Sequence, residues 1–299
     1  MSDVNPTLIA AATSPPLKRR AGRPPKGLRW FGRLSWPARL STIFLSLLVL
    51  VAVLAPLLAP HDPNALDPMN SFGPARPGYW LGQDLAGRDI LSRLVLGTRL
   101  ALLGPVLVVI LALALGVPLG MLAGWRGGFF DSIVSRSSDG LLAIPPLLLA
   151  IVITAALGGG FITAVIAIGI TYVPLMARVS RGLVFGERRK TYVDALDVQA
   201  FSTMRTMTLH VLPNMQRPLV AQAAVILGYA FIDLAGLSFL GLGVQPPTPD
   251  WGAMLAEGRA DLLTHPTEIL AASLGIAILV IAVNVLGDSL SNTDEERPR

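Results

Sequence analysis

Residues that could support catalysis or metal binding are few and widely separated in this sequence. There is no cysteine among the 299 residues, which excludes disulfides, thiolate nucleophiles and zinc–thiolate sites. The three histidines, His61, His210 and His265, do not have the spacing of metal ligands. No Gly-x-x-x-x-Gly-Lys-Ser/Thr phosphate-binding loop occurs anywhere in the chain. We therefore expect no catalytic residues, no metal site and no cofactor bound by this chain.

Two acidic residues stand out because they lie at or within apolar segments. Asp139 comes at one end of such a segment, where its carboxylate can reach water. Asp233 lies deeper, and an ionisable residue inside a membrane is a candidate functional residue by default. Two interpretations of Asp233 are equally good: a polar residue beside a pore, and a purely structural role. Neither acid has a second acid as a partner, which gives little support to a proton relay.

The elements that must position these residues are long apolar segments. Hydrophobic residues make up 53% of the chain and charged residues only 14%, against about 25% charged in soluble domains. The mean hydropathy is +0.61, and one helical crossing of a bilayer needs about 20 apolar residues. The sequence therefore predicts an all-α, polytopic membrane protein with about six transmembrane helices. The predicted spans are about 40–58, 100–124, 141–157, 161–176, 218–240 and 269–286.

The flanking segments carry most of the positive charge. Residues 1–39 are basic and predicted to be largely disordered, residues 40–290 form the membrane domain, and residues 291–299 form a short tail. If the chain begins inside, 19 of the 24 Lys and Arg residues lie on the inner side. This bias predicts that both termini are cytoplasmic. The basic charge then faces lipid head groups and protein partners, so nucleic acid is not an expected ligand.

Two further patterns predict how the helices pack and where partners attach. Gly116, Gly120 and Gly124 recur every fourth residue and predict a close helix-packing face. The polar interval 177–217 predicts two short helices, with Thr191 and Asp194 forming a capping box and Ser202 capping the second. Pro213 is expected to end this second helix and Asn214 to cap the fifth span. From pattern alone, lying flat on the lipid and docking to a protein are equally good interpretations of this interval.

Several segments resemble one family of transport proteins. Residues 192–196 (YVDAL) through 210–214 (HVLPN) resemble the cytoplasmic EAA loop of ABC importer permeases. Residues 81–93 and 237–252, together with 284–288, resemble signatures of the dipeptide/oligopeptide/nickel permeases. The resemblance covers roughly residues 40–290 and includes several glycines and prolines and a tryptophan. It implies the type I ABC importer permease fold and a binding-protein-dependent importer in the bacterial inner membrane.

The resemblance also implies partners and the residues that meet them. ATP and Mg²⁺ would be used by partner ATPase subunits, and a second permease subunit and an extracytoplasmic solute-binding protein would complete the transporter. The coupling loop implied to dock the ATPase contains Thr191, Tyr192, Asp194, Ala195, Leu196, Ala200, His210, Leu212 and Pro213. The outer surface implied to meet the binding protein contains Gln245, Pro246, Pro247 and Trp251, the last expected as an interfacial anchor.

One departure from the family pattern bears on the coupling loop. Ala200 occupies a position at which relatives usually have glycine, in the turn between the two short helices. If this turn is left-handed, alanine costs about 1–2 kcal/mol there. An ion-coupled secondary transporter and a membrane scaffold without transport activity remain as alternative functions.

Overall fold

The computed structural model describes residues 35–292, with side chains described up to residue 289. Most of the predicted basic tail and residues 293–299 lie outside the described residues. The described chain is helical and contains no strand, which confirms the all-α prediction. In chain order the helices are α1 (Trp36–Leu58), α2 (Ile90–Arg126), α3 (Gly128–Leu142), α4 (Pro146–Leu157), α5 (Phe161–Arg188), α6 (Thr191–Val198), α7 (Thr203–Thr206), α8 (Leu212–Phe239), α9 (Trp251–Gly258) and α10 (Thr267–Asn292).

Long apolar helices dominate the described residues. Five helical segments are long and apolar enough to cross a membrane, and α3 with α4 form a bent pair that can supply a sixth crossing. Helix α2 begins at Ile90, about three turns before the second span predicted from residue 100. The carboxylate of Asp89 caps this helix by accepting a hydrogen bond from the Ser92 amide at 3.1 Å. Helix α5 likewise extends to Arg188, well beyond the apolar part of its sequence.

The third span is broken at Pro145 and Pro146. Helix α3 ends at Leu142, α4 begins at Pro146, and the two helices are bent by 91°. Proline has no amide hydrogen to donate and disfavours helical geometry in the residue before it. Helix α4 has only 12 residues, or about 18 Å at 1.5 Å per residue. It is therefore too short to cross the hydrocarbon core of about 30 Å without α3.

The three spaced glycines lie where α2 packs against α5. A Cβ atom at Gly116 would lie 2.7 Å from the Cβ atom of Met176, and one at Gly124 would lie 2.9 Å from the Arg181 carbonyl oxygen. A Cβ atom at Gly120 would overlap the Ala177 carbonyl oxygen. The backbones of the two helices thus approach closely because no side chain separates them. This seam lies within one subunit.

We expect the Gly120→Ala substitution to lower the thermal unfolding temperature of the detergent-solubilised protein. The added methyl group overlaps backbone atoms of α5, and overpacking of this kind costs about 1–3 kcal/mol. Gly182→Ala on α5 is the matched control, because a Cβ atom there meets nothing within 4 Å and alanine favours a helix by about 1 kcal/mol. Equal unfolding temperatures for the two variants would contradict the close packing.

Candidate functional site

The short helices α6 and α7 form a projection at the end of the bundle where α2 and α5 end. Helix α6 is fixed to the end of α5, because the Tyr192 hydroxyl donates to the Glu187 carboxylate at 2.7 Å. Lys190 forms an ion pair with the same carboxylate, and the Val193 side chain is buried. Burial, together with the hydrogen bond to Glu187, raises the pKa of Tyr192, so its hydroxyl stays a donor. One face of α6 is thus held against the bundle.

The capping box predicted for α6 is wrong. Lys190, not Thr191, occupies the N-cap position, and no side chain makes a capping hydrogen bond. The Val193 amide is satisfied by the Lys190 carbonyl oxygen at 2.9 Å instead. Asp194 remains exposed in the first turn, where a negative charge interacts favourably with the helix dipole.

Ala200 adopts a left-handed backbone conformation, the case in which alanine is costly at this turn. Its φ angle is +57°. The Phe201 amide donates to the Leu196 carbonyl oxygen at 3.1 Å, and the Ala200 amide donates to the Asp197 carbonyl oxygen at 3.0 Å. This pair of bonds is the Schellman arrangement, whose left-handed position is usually glycine. Alanine therefore places a strained residue at the junction of α6 and α7.

Pro213 does not end the second short helix, which corrects the prediction. A π-helical turn spans Met207–Val211, and α8 begins at Leu212 without a break. The wider turn lies where a regular α-helix would bring the proline ring against the carbonyl group of Leu209. Asn214 consequently lies inside α8 and does not cap it. The helical run from Thr203 to Phe239 is therefore continuous.

The projection exposes several apolar side chains. His210 packs edge-on against Phe201 at 5.8 Å between ring centroids and is half-buried, as are Leu196 and Leu212. The exposed residues comprise Thr191, Ala195, Ala200 and Pro213, together with the larger apolar side chains Val198, Met204 and Leu209. Val198 is 88% exposed. An exposed group of this kind is typical of a surface that another protein covers.

Asp233 lies on a partly exposed polar face of α8. Its carboxylate accepts a hydrogen bond from the Tyr172 hydroxyl of α5 at 2.7 Å. Tyr229 lies one helical turn earlier, on the same face, and is 59% exposed. Polar side chains within spans usually face a bundle interior or a water-filled cavity, because exposure to lipid is costly. This face of α8 is thus suited to a polar path rather than to lipid.

Asp139 has a partner on a neighbouring helix. It forms an ion pair with Arg178 of α5, and Asp131 forms one with Arg181 one turn further along. The two pairs join α3 to α5 beside a cavity of about 210 Å³. The side chains of Asp139 and Arg178 are more than half exposed, in keeping with an acid that reaches water.

Trp251 is buried, so the prediction of an exposed interfacial anchor is wrong. Only 4% of its surface is exposed, and its indole nitrogen donates to the Leu94 carbonyl oxygen at 2.8 Å. Gly97 and Gly275 make room for the ring, since a Cβ atom on either would lie within 3.3 Å of it. The residues expected beside it, Gln245, Pro246 and Pro247, are exposed.

Sequence reasoning missed a buried cluster of charged residues at the opposite end from α6. Asp84, Arg88 and Arg93 meet Glu257 of α9 and lie near Glu268 of α10. In the sequence, residues 81–93 stood out only for their resemblance to a family signature. Their acidic partners lie more than 160 residues away along the chain, so no local pattern could reveal them.

Comparisons with known proteins agree with this arrangement. The family described as "Binding-protein-dependent transport system inner membrane component" matches residues 116–293, and the "N-terminal TM domain of oligopeptide transport permease C" matches residues 35–75. The di/tripeptide transport system permease protein DppC of Pseudomonas aeruginosa is 41% identical over 254 residues, which are 83% of this chain and 84% of the relative. The glutathione transport system permease protein GsiD of Pectobacterium atrosepticum is 38% identical over 251 residues, or 83% of each chain.

A solved structure has the same fold. The inward-facing MetNI methionine ABC transporter matches with a TM-score of 0.56 and 18% sequence identity. The match covers 68% of this chain and 97% of the MetNI chain. At this level of identity the similarity concerns the fold alone, and it confirms the predicted importer permease architecture.

We expect Ala200→Gly to stabilise α6 locally and to leave transport intact. Glycine adopts the φ angle of +57° without the strain that alanine has there. Removing this strain stabilises the turn by about 1 kcal/mol, which should slow amide exchange in α6 roughly fivefold. Ala195→Gly in the interior of the same helix is the matched control, and we expect faster exchange because glycine disfavours helices by about 1 kcal/mol. A large loss of transport in Ala200→Gly would show that the alanine is needed for coupling.

Proposed function

This chain belongs to the binding-protein-dependent family of inner-membrane transport components and is a permease subunit of an ABC importer, and we propose that its cargo is peptides or related small solutes. Membership rests on the family match over residues 116–293. The cargo is inferred from relatives named for di/tripeptide and glutathione transport. Family membership favours this function over an ion-coupled transporter or a membrane scaffold. The chain is a multi-pass protein and is itself not catalytic.

The observation that carries the mechanism is the α6–α7 projection with its exposed apolar surface. We propose that an ATPase subunit docks here and that ATP and Mg²⁺ are used by that subunit, not by this chain. The ion pair and hydrogen bond from Lys190 and Tyr192 to Glu187 attach the projection to α5. Beyond the π turn the projection continues directly into α8. A displacement at the docking surface can therefore reach two spanning helices.

A second permease subunit would complete the pore. We propose that the α8 face with Tyr229 and Asp233 lines the shared path, because its exposed polar side chains are unsuited to lipid. The distribution of Lys and Arg supports cytoplasmic termini, with the α6–α7 projection also on the cytoplasmic side. The exposed segment containing Gln245, Pro246 and Pro247 then faces outward, where a solute-binding protein would dock.

We expect Val198→Arg to abolish association with the ATPase. The side chain is 88% exposed on α6, so an arginine can be accommodated in the free subunit but adds a charge to an apolar contact. The measurement is co-purification of the tagged permease with its ATPase subunits in mild detergent, followed by an assay of ATP hydrolysis. Leu263→Arg is the matched control, because Leu263 is 97% exposed at the opposite end of the bundle. Retention of the ATPase by Val198→Arg would refute docking at α6.

We expect Asp233→Asn to reduce uptake of peptides with a free amino terminus several-fold, with a smaller effect on N-acetylated peptides. The amide removes the negative charge that would attract an ammonium group in the path. Tyr172→Phe is the matched variant, since it removes the hydrogen bond to Asp233 but keeps the charge. The measurement is competition between the two peptide forms for uptake into membrane vesicles that contain the whole transporter. An equal loss for both forms would place Asp233 outside the recognition site.

A further inference from the structure

The buried charged cluster joins three separate parts of the chain. The carboxylate of Asp84 accepts hydrogen bonds from Arg88 at 2.6 Å and from Arg93 at 2.8 Å. The same two arginines contact Oε2 of Glu257 at 2.5 Å and 3.0 Å. Glu268, in the first turn of α10, lies beside them. The outer loop, the start of α2, the end of α9 and the start of α10 thus meet at one set of charges.

The charges in this cluster do not balance. Three carboxylates face two guanidinium groups, so the cluster has one negative charge in excess. The side chain of Arg93 is fully buried, and those of Asp84 and Arg88 are almost so. A buried charge without a counter-charge costs several kcal/mol, even after the surroundings relax. The cluster therefore requires a further positive charge or the loss of a negative one.

Two buried carboxylate oxygens are available to bind a positive charge. Among the described residues, Oε1 of Glu257 and Oε1 of Glu268 are buried without a hydrogen-bond partner. Only 5% of Glu268 is exposed. Ligand oxygens of Asp84, Glu257 and Glu268 all lie within 4.8 Å of one another. Since the arginines already hold Asp84 and one oxygen of Glu257, the unused oxygens belong to the two glutamates.

The three carboxylates also line a cavity with room for a hydrated ion. Its volume is about 380 Å³, against about 30 Å³ for one water molecule in the liquid. Trp80 and Asp261 contribute to the same wall. Buried donors Nε and Nη2 of Arg93 also lack partners among the described residues, as expected if water fills part of this region.

We propose that this cavity binds a hard divalent cation, Mg²⁺ or Ca²⁺, through Oε1 of Glu257 and Oε1 of Glu268, while the neighbouring Asp84 stays bonded to the two arginines. All available ligands are oxygen atoms, which these cations prefer, and Mg²⁺ in particular is often held by one or two carboxylates with water completing its shell. The ion replaces one excess negative charge by one excess positive charge, which water in the cavity can solvate, and it links α9 to α10 at the end of the bundle opposite α6. The site does not depend on the proposed cargo or on ATPase docking.

The test uses the full-length chain, purified in detergent and stripped of metal with a chelator. Tb³⁺ is the probe, because Trp80 in the cavity wall can sensitise its luminescence when tryptophan is excited. We expect saturable binding of one ion per chain, competition by Ca²⁺ or Mg²⁺, and an affinity at least about tenfold weaker in Glu268→Gln. Asp261→Asn, which removes an acid from the same wall, is the matched control and should weaken binding less than Glu268→Gln does, because Asp261 is not one of the three carboxylates that lie within 4.8 Å of one another.

Thermal unfolding gives a second readout that does not rely on luminescence. Ca²⁺ or Mg²⁺ should raise the unfolding temperature of the native chain, because it binds only the folded state, and should not raise that of Glu268→Gln. Absence of saturable binding to the native chain would overturn the proposal, as would equal affinities for Glu268→Gln and Asp261→Asn. A proton on Glu268 is the other way to remove the excess negative charge. In that case Glu268→Gln will unfold at no lower a temperature than the native chain, and metal will stabilise neither protein. This result would also overturn the proposal.

Discussion

The contact between α2 and α5 is the constraint on which the rest of the structure depends. Apolar side chains gain little by leaving lipid for another helix, so close van der Waals packing must hold helices together in a membrane. Glycines at 116, 120 and 124 let the two backbones approach, and the Ser180 hydroxyl, buried in the same seam, bonds within its own helix at 2.9 Å. The α6 helix follows α5 directly, so the seam also fixes where the α6–α7 projection emerges.

Features that follow from local chemistry could be predicted from the sequence. Long apolar runs predict helices because a backbone in hydrocarbon must satisfy its hydrogen bonds within itself. The glycine spacing predicts a packing face whatever the partner helix is. Pro145 and Pro146 predict a break because the missing amide hydrogens act on the same chain segment. Ala200 was singled out only because relatives usually have glycine there, and its left-handed backbone was found in the structure.

Features that depend on distant residues could not be predicted in this way. From the sequence, Trp251 is predicted to be an interfacial anchor. Its burial depends on Gly97 and Gly275, which are distant in the sequence and leave space for its ring. Glu257 and Glu268 look like ordinary loop acids, and only the fold brings them to the arginines at the start of α2. The predicted end of the second short helix at Pro213 was wrong because a π turn joins α7 to α8, and residue propensities do not indicate π turns. The candidate docking residues were therefore found by resemblance, and their surroundings by the structure.

The unbroken run from α7 through the π turn into α8 has a mechanical consequence. Residues Thr203–Phe239 form a segment of 37 residues, or about 55 Å at 1.5 Å per residue. Such a rod acts as a lever when it pivots near its midpoint, and a tilt of ~10° moves each end by ~5 Å in opposite directions. Pushing the Thr203 end would swing the Phe239 end, which precedes Asp250 and the start of α9, the other way. The π turn, as the least regular part of the rod, would decide how stiffly that motion is transmitted.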